Sequence, residues 1–274
     1  IKKAKDLGMY IVHEMIIAPN SGLIMYEENK RFPEFNLDHQ KWEDVQNGII
    51  LDKEKWELSD KILVPSSYCK DIAIKMGAES QKLSLVPYGI QKNFSNYKSK
   101  VQKGRILFVG EIGLRKGFHY FAEASRILKN KGRKYSFVAV GVSKFKNKNY
   151  LFDNIKILGH IPRNEIINQY LNADIFVLPT LAEGMAIAHV EAMSYGLPVI
   201  TTPNCGSVIS DSKEGFIVPI RESEILALKI EEIVENRTLR NQMSQRCKKK
   251  AMKYTWENYS KNLLSALSIE NEIR

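Results

Sequence analysis

"DIFVLPTLAEGMAIAHVEAMSYGLPVITT" (174–202) opens on an apolar run and closes on another. Between the two lie a loop holding Glu183 and Gly184 and a stretch with helical periodicity, 186–196, that ends in Gly196. Neither apolar run, 174–180 or 197–203, alternates with polar residues, so each reads as a strand buried on both faces. Two such strands joined through a helix belong to a parallel sheet with helices packed over it. The decisive loop also carries chemistry, because Glu183 and Glu191 stand eight positions apart with small or apolar residues and one histidine, His189, between them.

The same alternation extends outward. Upstream, "RILFVG" (105–110), "YSFVAVG" (135–141) and "NIKILGHI" (154–161) read as strands, with helices at 118–132 and 164–173; downstream, "GFIVPI" (215–220) is followed by helices at 222–236 and 237–254. This is an α/β, doubly wound, complete nucleotide-binding type of domain. The first part of the chain has the same ingredients in smaller number: strands at 9–14, 60–66 and 83–90 and a helix at 42–58. We expect a partial Rossmann-like domain over 1–96, with a polar linker at 91–104, and a complete one over 97–254. The amphipathic segment 255–274 has no obvious partner on its own sheet and is expected to cross back to the first domain. A chain that begins at Ile1 only eight residues before its first strand leads us to expect further residues upstream.

Composition sets broad limits. The 274 residues are 44% apolar and 26% charged, which describes a soluble globular chain. No apolar run reaches the roughly 18 residues of a bilayer span, and nothing near the start resembles a signal peptide, so a cytoplasmic location is expected. Cys69, Cys205 and Cys247 are spaced for neither a disulfide framework nor a metal site. The net charge of +10 is unevenly placed: residues 1–95 hold 13 Lys+Arg against 14 Asp+Glu, and 96–274 hold 28 against 17. The clusters at 129–134, 144–148 and 246–250 fit solvated helix ends, or contact with an anionic membrane surface. They lack the interleaved aromatic residues that stack nucleic-acid bases.

In an open parallel sheet, ligands bind beyond the carboxyl ends of the strands. Three loops fall there. "GEIGLRKG" (110–117) begins at Gly110 and brings Arg115 and Lys116 to a helix start, which suits a diphosphate and equally suits a solvated turn. "LGHIP" (158–162), with Ile161, can offer backbone groups to a base edge, or be a plain turn. In the third, Ala186 is expected to open a helix whose Ile187 and Ala188 present free N–H groups. Glu191 lies on the same face, where it could accept hydrogen bonds from a ribose diol, and Glu183 at the loop tip could reach a sugar hydroxyl. Either glutamate alone also fits an ordinary helix start, and His189 fits buried packing better than catalysis.

Together "RILFVGEIGLRKGFHYFAEA" (105–124), "GHIPRNEIINQYLNADIFVLPTLAEGMAIAHVEAMSYGLPVITT" (159–202) and "EGFIVPI" (214–220) resemble the retaining glycosyltransferases of family 4, over about Lys61 to Tyr259. The most specific element is the E-x7-E pair Glu183 and Glu191, supported by Lys116–Gly117. The resemblance implies the GT-B architecture of two facing Rossmann-like domains and a nucleotide-diphosphate sugar as donor, with no metal cofactor. Lys116 is then expected on the diphosphate, Glu191 on the ribose, and Glu183 with the Gly184–Met185 backbone on the transferred sugar. His13 matches a histidine facing that sugar across the cleft. One position departs from the pattern: the family's arginine after the first "VG" is Glu111 here, and Arg115 is the candidate to replace it.

The expected activity is transfer of a hexose to a cell-envelope glycan or lipid-linked precursor with retention of configuration, at the inner face of the cell membrane and without nucleic-acid partners. The alternative is a non-catalytic sugar-nucleotide-binding or structural domain.

Overall fold

The computed structural model describes residues 1–35, 41–91, 99–145 and 152–267. The linker expectation at 91–104, the basic cluster at 144–148 and the end of the 255–274 segment therefore fall partly outside the described residues.

Two parallel sheets organise the chain. The smaller consists of β1 (Val12–Glu14), β2 (Lys61–Val64) and β3 (Leu83–Leu85) in that spatial order. The larger contains β4 (Arg105–Val109), β5 (Ser136–Val140), β6 (Ile155–Ile157), β7 (Ile175–Leu178), β8 (Val199–Thr201) and β9 (Gly215–Ile217), in the order β6-β5-β4-β7-β8-β9. Every pairing is parallel, and Ile106 opposite Ile175 sets the β4–β7 register. Chain direction across the sheet reverses between β4 and β7, and the loops that leave these strands diverge around a crevice.

The physical reason for the larger sheet is in its strands. All four residues of β7 and the three central residues of β4 are buried, because helices cover both faces. α5 (Phe118–Asn130) packs with α8 (Ser223–Glu235), and α7 (Ile187–Ser194) with α9 (Arg237–Ala251). α6 (Arg163–Asn172) connects β6 to β7. Phe108, Phe118 and Phe121 meet with ring centroids 5.3–5.9 Å apart at the heart of this core.

The smaller sheet carries α3 (Trp42–Leu58) and α4 (Ser67–Lys75) before its second and third strands. The short α1 (Lys2–Asp6) precedes β1. Two elements tie the sheets together. α10 (Trp256–Leu267) follows the larger sheet yet lays Tyr259, Leu263 and Ala266 on Leu63 and Val86 of the smaller one. In the other direction α2 (Ser21–Arg31) follows β1, and its Met25, with Phe32 and Phe35 beyond it, packs against the larger core.

Observed strands are shorter than the apolar runs suggest. β7 stops at Leu178, because Pro179 has no N–H to donate and the Thr180 hydroxyl turns to the Arg115 carbonyl at 3.0 Å. Helices α1, α2 and α4 are additions to the sequence reading. α4 has a local signal, the Ser66 side chain accepting the Cys69 N–H at 3.2 Å as its N-cap. α2 has none of that kind: its apolar residues run consecutively from Leu23 to Tyr26, and the residue it buries is Glu28.

Candidate functional site

The loops leaving β4 and β7 close on each other at the crevice. The Arg115 carbonyl accepts the Leu181 N–H at 2.8 Å as well as the Thr180 hydroxyl, so the backbone of one loop is stitched to the other. Gly117 makes the approach feasible: with φ at +68°, its Cα faces the Pro179 carbonyl, and a Cβ there would lie 1.9 Å from that oxygen. Lys116 and Arg115 are thereby aimed at the tip of the β7 loop. Both cations meet one carboxylate oxygen of Glu183: Lys116 Nζ at 2.5 Å, and Arg115 in a still closer ion pair. Arg115 also donates to the Ala182 carbonyl. Gly110, directly after β4 with φ at +153°, lies beside the Lys116 side chain.

Glu183 is held from behind. Its N–H donates to the Asn204 carbonyl at 3.1 Å, and Asn204 Nδ2 donates to the Leu181 carbonyl at 2.8 Å. From the front the smaller unit presses on the next residue. The Ser66 hydroxyl donates to the Gly184 carbonyl at 2.6 Å, Cys69 Sγ lies 3.4 Å from the same oxygen, and a Cβ on Gly184 would meet the Ile16 carbonyl at 1.9 Å. Met185 is buried with Ile90 and Val190. Sequence reasoning missed Ser66, Cys69 and Asn204, since each acts over a long chain separation through a single short side chain.

At the start of α7 the residues divide by role. Ala186 is the N-cap; its own N–H donates to the Cys205 carbonyl at 3.2 Å, so the structure does not offer that amide to a ligand. Ile187 and Ala188 open the helix, where N–H groups have no intrahelical acceptor. His189 is fully buried: Nε2 accepts the Val208 N–H at 3.3 Å, and Nδ1 faces Cys205 Sγ at 3.6 Å. Burial pushes its pKa down to about 3, with the Lys116 charge acting in the same direction. It is a neutral structural histidine.

Glu191 stands on the wall of a cavity of about 460 Å³, lined also by His160, Ile161, Pro162, Arg163 and Tyr170. The Tyr170 hydroxyl donates to Glu191 Oε2 at 3.2 Å, and Arg163 approaches Oε1 at 3.6 Å. Burial raises the Glu191 pKa, opposed by the Tyr170 hydrogen bond and the Arg163 charge. Arg163 and Tyr170 are seven residues apart, two turns along one face of α6, a spacing that was available in the sequence and went unread. The expected neighbours Glu183, Arg115 and Lys116 are thus brought together, and Ile161 and Glu191 share the cavity.

Two further expected residues have neighbours of their own. Glu111 pairs with Lys144 at 3.9 Å. His13 lies in β1, three residues before Ile16, or roughly 10 Å along an extended strand. Burial lowers its pKa, and the charged groups acting on it, Lys55, Asp52 and Glu14, all belong to the smaller unit.

Cations at a switch point and an acid beside a base-sized cavity are what a nucleotide site requires, and comparison with known proteins gives the family. Residues 89–250, more than half of the chain, match the family described as Glycosyl transferases group 1. The chain belongs to the group 1 glycosyl transferase family. It is 29% identical over 208 residues to the amylovoran biosynthesis glycosyltransferase AmsK of Erwinia amylovora, a match covering 67% of this chain and 51% of that one. It is 32% identical over 206 residues to a UDP-Gal:alpha-D-GlcNAc-diphosphoundecaprenol alpha-1,3-galactosyltransferase of Escherichia coli, covering 66% and 52%. This group 1 glycosyl transferase therefore spans about half the length of the curated relatives it matches. Among solved structures, Alr3699/HepE of Anabaena in complex with UDP-glucose superposes with a TM-score of 0.74 at 14% identity, covering 97% of this chain and 74% of that one. That likeness establishes the shared GT-B fold.

Proposed function

We propose that the chain carries the donor site of a retaining, family 4-type glycosyltransferase that moves a hexose from a nucleotide-diphosphate sugar to a cell-envelope glycan or lipid-linked acceptor. The carrying observation is the meeting of Arg115 and Lys116 with Glu183 at the β4–β7 switch point. Two cations there suit a diphosphate, since each phosphate oxygen can take a charge-assisted hydrogen bond. Glu191 then receives the ribose in the cavity with Ile161, the α7 amides of Ile187 and Ala188 face phosphate, and Glu183 with the Gly184–Met185 backbone reaches the sugar. Relatives named for amylovoran, colanic acid and capsular polysaccharide biosynthesis favour an envelope glycan as the product.

In the proposed reaction the bond from the sugar's anomeric carbon to the leaving phosphate breaks while the acceptor oxygen bonds to the same face. The acceptor's hydroxyl proton passes to the departing phosphate oxygen, so no protein nucleophile is required. Lys116 and Arg115 stabilise the growing negative charge, electrostatic work for which a single donor contributes roughly 2.7–4 kcal/mol. These cations make a metal cofactor unnecessary in this reading. No helix among the described residues is long and apolar enough to cross a membrane. The basic larger unit fits peripheral attachment to an anionic inner membrane face.

The test is titration of the full-length protein with uridine, guanosine and adenosine diphosphates by calorimetry, together with slow hydrolysis of the corresponding sugar donor. Binding of one nucleotide and its loss of sugar are expected. Absence of affinity for any nucleoside diphosphate rejects the reading, and equal hydrolysis by wild type and Glu183→Ala removes the role given to Glu183.

A further inference from the structure

The Glu183 carboxylate occupies the position on Arg115 and Lys116 that the proposed donor's diphosphate needs. Its side chain is 11% exposed, against 30% for Arg115 and 14% for Lys116, so the three charges interact with limited screening by water. The scaffold beneath them does not depend on that carboxylate. The two loops are joined through the Arg115 carbonyl, Arg115 reaches the Ala182 carbonyl, and Glu183 is anchored by its backbone N–H on Asn204. Removing the charge of Glu183 would therefore leave the two loops joined and both cations without their counter-charge.

We infer that Glu183 is an internal counter-anion: without donor it holds Arg115 and Lys116 in position, and a diphosphate must displace it to bind. This inference rests on the donor-site reading above and adds a consequence to it. With a sugar attached, the displaced carboxylate finds new partners in the sugar hydroxyls. A sugar-free nucleoside diphosphate gives it none, leaving two anions competing for the same two cations. Glu183 thus favours the intact donor over the nucleotide product, and its return to Arg115 and Lys116 helps to expel that product. In this part of its action it is a positioning residue, since it works through the two cations.

The experiment measures affinity for inorganic pyrophosphate and for the three nucleoside diphosphates in the full-length protein and its Glu183→Gln, Glu183→Ala and Glu183→Asp variants, at two salt concentrations. Removing a like charge next to a bound anion should tighten binding of pyrophosphate and of the accepted nucleotide by about tenfold in the Gln and Ala variants, with steeper salt dependence. Glu183→Asp, which keeps the charge, should stay near wild type. Donor hydrolysis should fall in the same Gln and Ala variants that bind the product more tightly. A folding defect cannot produce a gain in affinity, so that gain separates the inferred role from a structural one. Equal or weaker binding by both neutral variants, with wild type binding a nucleotide, overturns this inference alone. If neither wild type nor variants bind any nucleoside diphosphate, the donor-site reading fails and this inference with it.

Discussion

Glu28 and Glu183 are both acids met by several donors on the larger unit, and they have opposite consequences. Glu28, on α2, has a fully buried side chain; its carboxylate accepts from His119 Nε2 at 2.9 Å, the Tyr120 hydroxyl at 2.5 Å and Arg221 at 2.7 Å. His119 and Tyr120 begin α5 directly after Lys116–Gly117, and Arg221 follows β9 in a left-handed conformation with φ at +68°. Glu183, in the loop after β7, is also buried, and both its cations belong to the loop between β4 and α5. The first acid fastens an element of the smaller unit to the larger one. The second, in the inference above, exchanges its partners for a ligand's, and partner exchange is what distinguishes a site from a clamp.

Breaking the clamp should give the largest effect. Glu28→Ala leaves Arg221 with only the exposed Glu27 and strands two buried donors, a loss of about 3–5 kcal/mol by analogy with buried pairs broken on one side. The urea midpoint should fall accordingly, while the folded fraction keeps its nucleotide affinity. A midpoint shift below about 1 kcal/mol would mean that α2 is held by Met25, Phe32 and Phe35 alone. The converse variant, Lys116→Ala, should change stability little, because Lys116 serves Glu183 and no backbone group. Its transfer rate should drop by about 10²–10³, the scale for losing one donor to a developing anion. Equal losses of stability and rate in Lys116→Ala would erase the distinction between the two acids.

Much of the larger unit was legible because its strands lie within apolar runs punctuated by Gly110, Gly141 and Gly196, and helices such as α5 have a clear apolar face. α2 was not, because a charged residue anchors it and no hydrophobic period announces it. In the candidate site, Lys116, Glu183 and Glu191 could be singled out by spacing and resemblance. That Arg115 and Lys116 converge on one oxygen of Glu183 could not, since the loops meet only once Gly117 admits the Pro179 carbonyl. Ser66 and Cys69 reach the Gly184 carbonyl from another sheet, which no local pattern encodes.

The clamp should also loosen in acid. Burial lowers the His119 pKa against the pull of Glu28, so the folded protein holds this ring neutral. Its Nδ1 is buried with no partner, and protonation there would add an N–H without an acceptor. For Glu28, burial by itself raises the pKa, and the hydrogen bonds from His119, Tyr120 and Arg221 outweigh it to give a net lowering. Both folded pKa values lie below the unfolded ones, so the unfolded chain binds more protons and stability decreases as the pH is lowered. The loss should begin below about 6.5 through His119 and continue below about 4.5 through Glu28. Urea midpoints measured from pH 8 to pH 3 should fall in that order in wild type; in Glu28→Ala the fall below about 4.5 should disappear, whereas the fall through His119 should persist, because Glu28 raises that pKa in the wild type. Parallel curves would show that other groups carry the acid response.

The smallest effect is expected at Tyr170, and it sharpens the contrast at the exchanging end of the molecule. Tyr170 is buried beneath the cavity and stacks on Tyr195 with centroids 5.4 Å apart, so Tyr170→Phe preserves the packing and removes the hydroxyl's hydrogen bond to Glu191 together with its longer contact of 3.5 Å to the Ala188 carbonyl. That bond orients the carboxylate proposed for the ribose, and it opposes the burial that raises the Glu191 pKa. Its removal should weaken the accepted nucleoside diphosphate by about threefold to tenfold, the scale of one ordinary hydrogen bond acting through a neighbouring group. The Glu191 pKa should rise further, so affinity in the variant should decline at a higher pH than in wild type as the acid becomes protonated. Pyrophosphate, which has no ribose, should bind wild type and variant alike. A variant that weakens pyrophosphate equally would place Tyr170 among the supports of the β7 loop and detach Glu191 from nucleotide recognition.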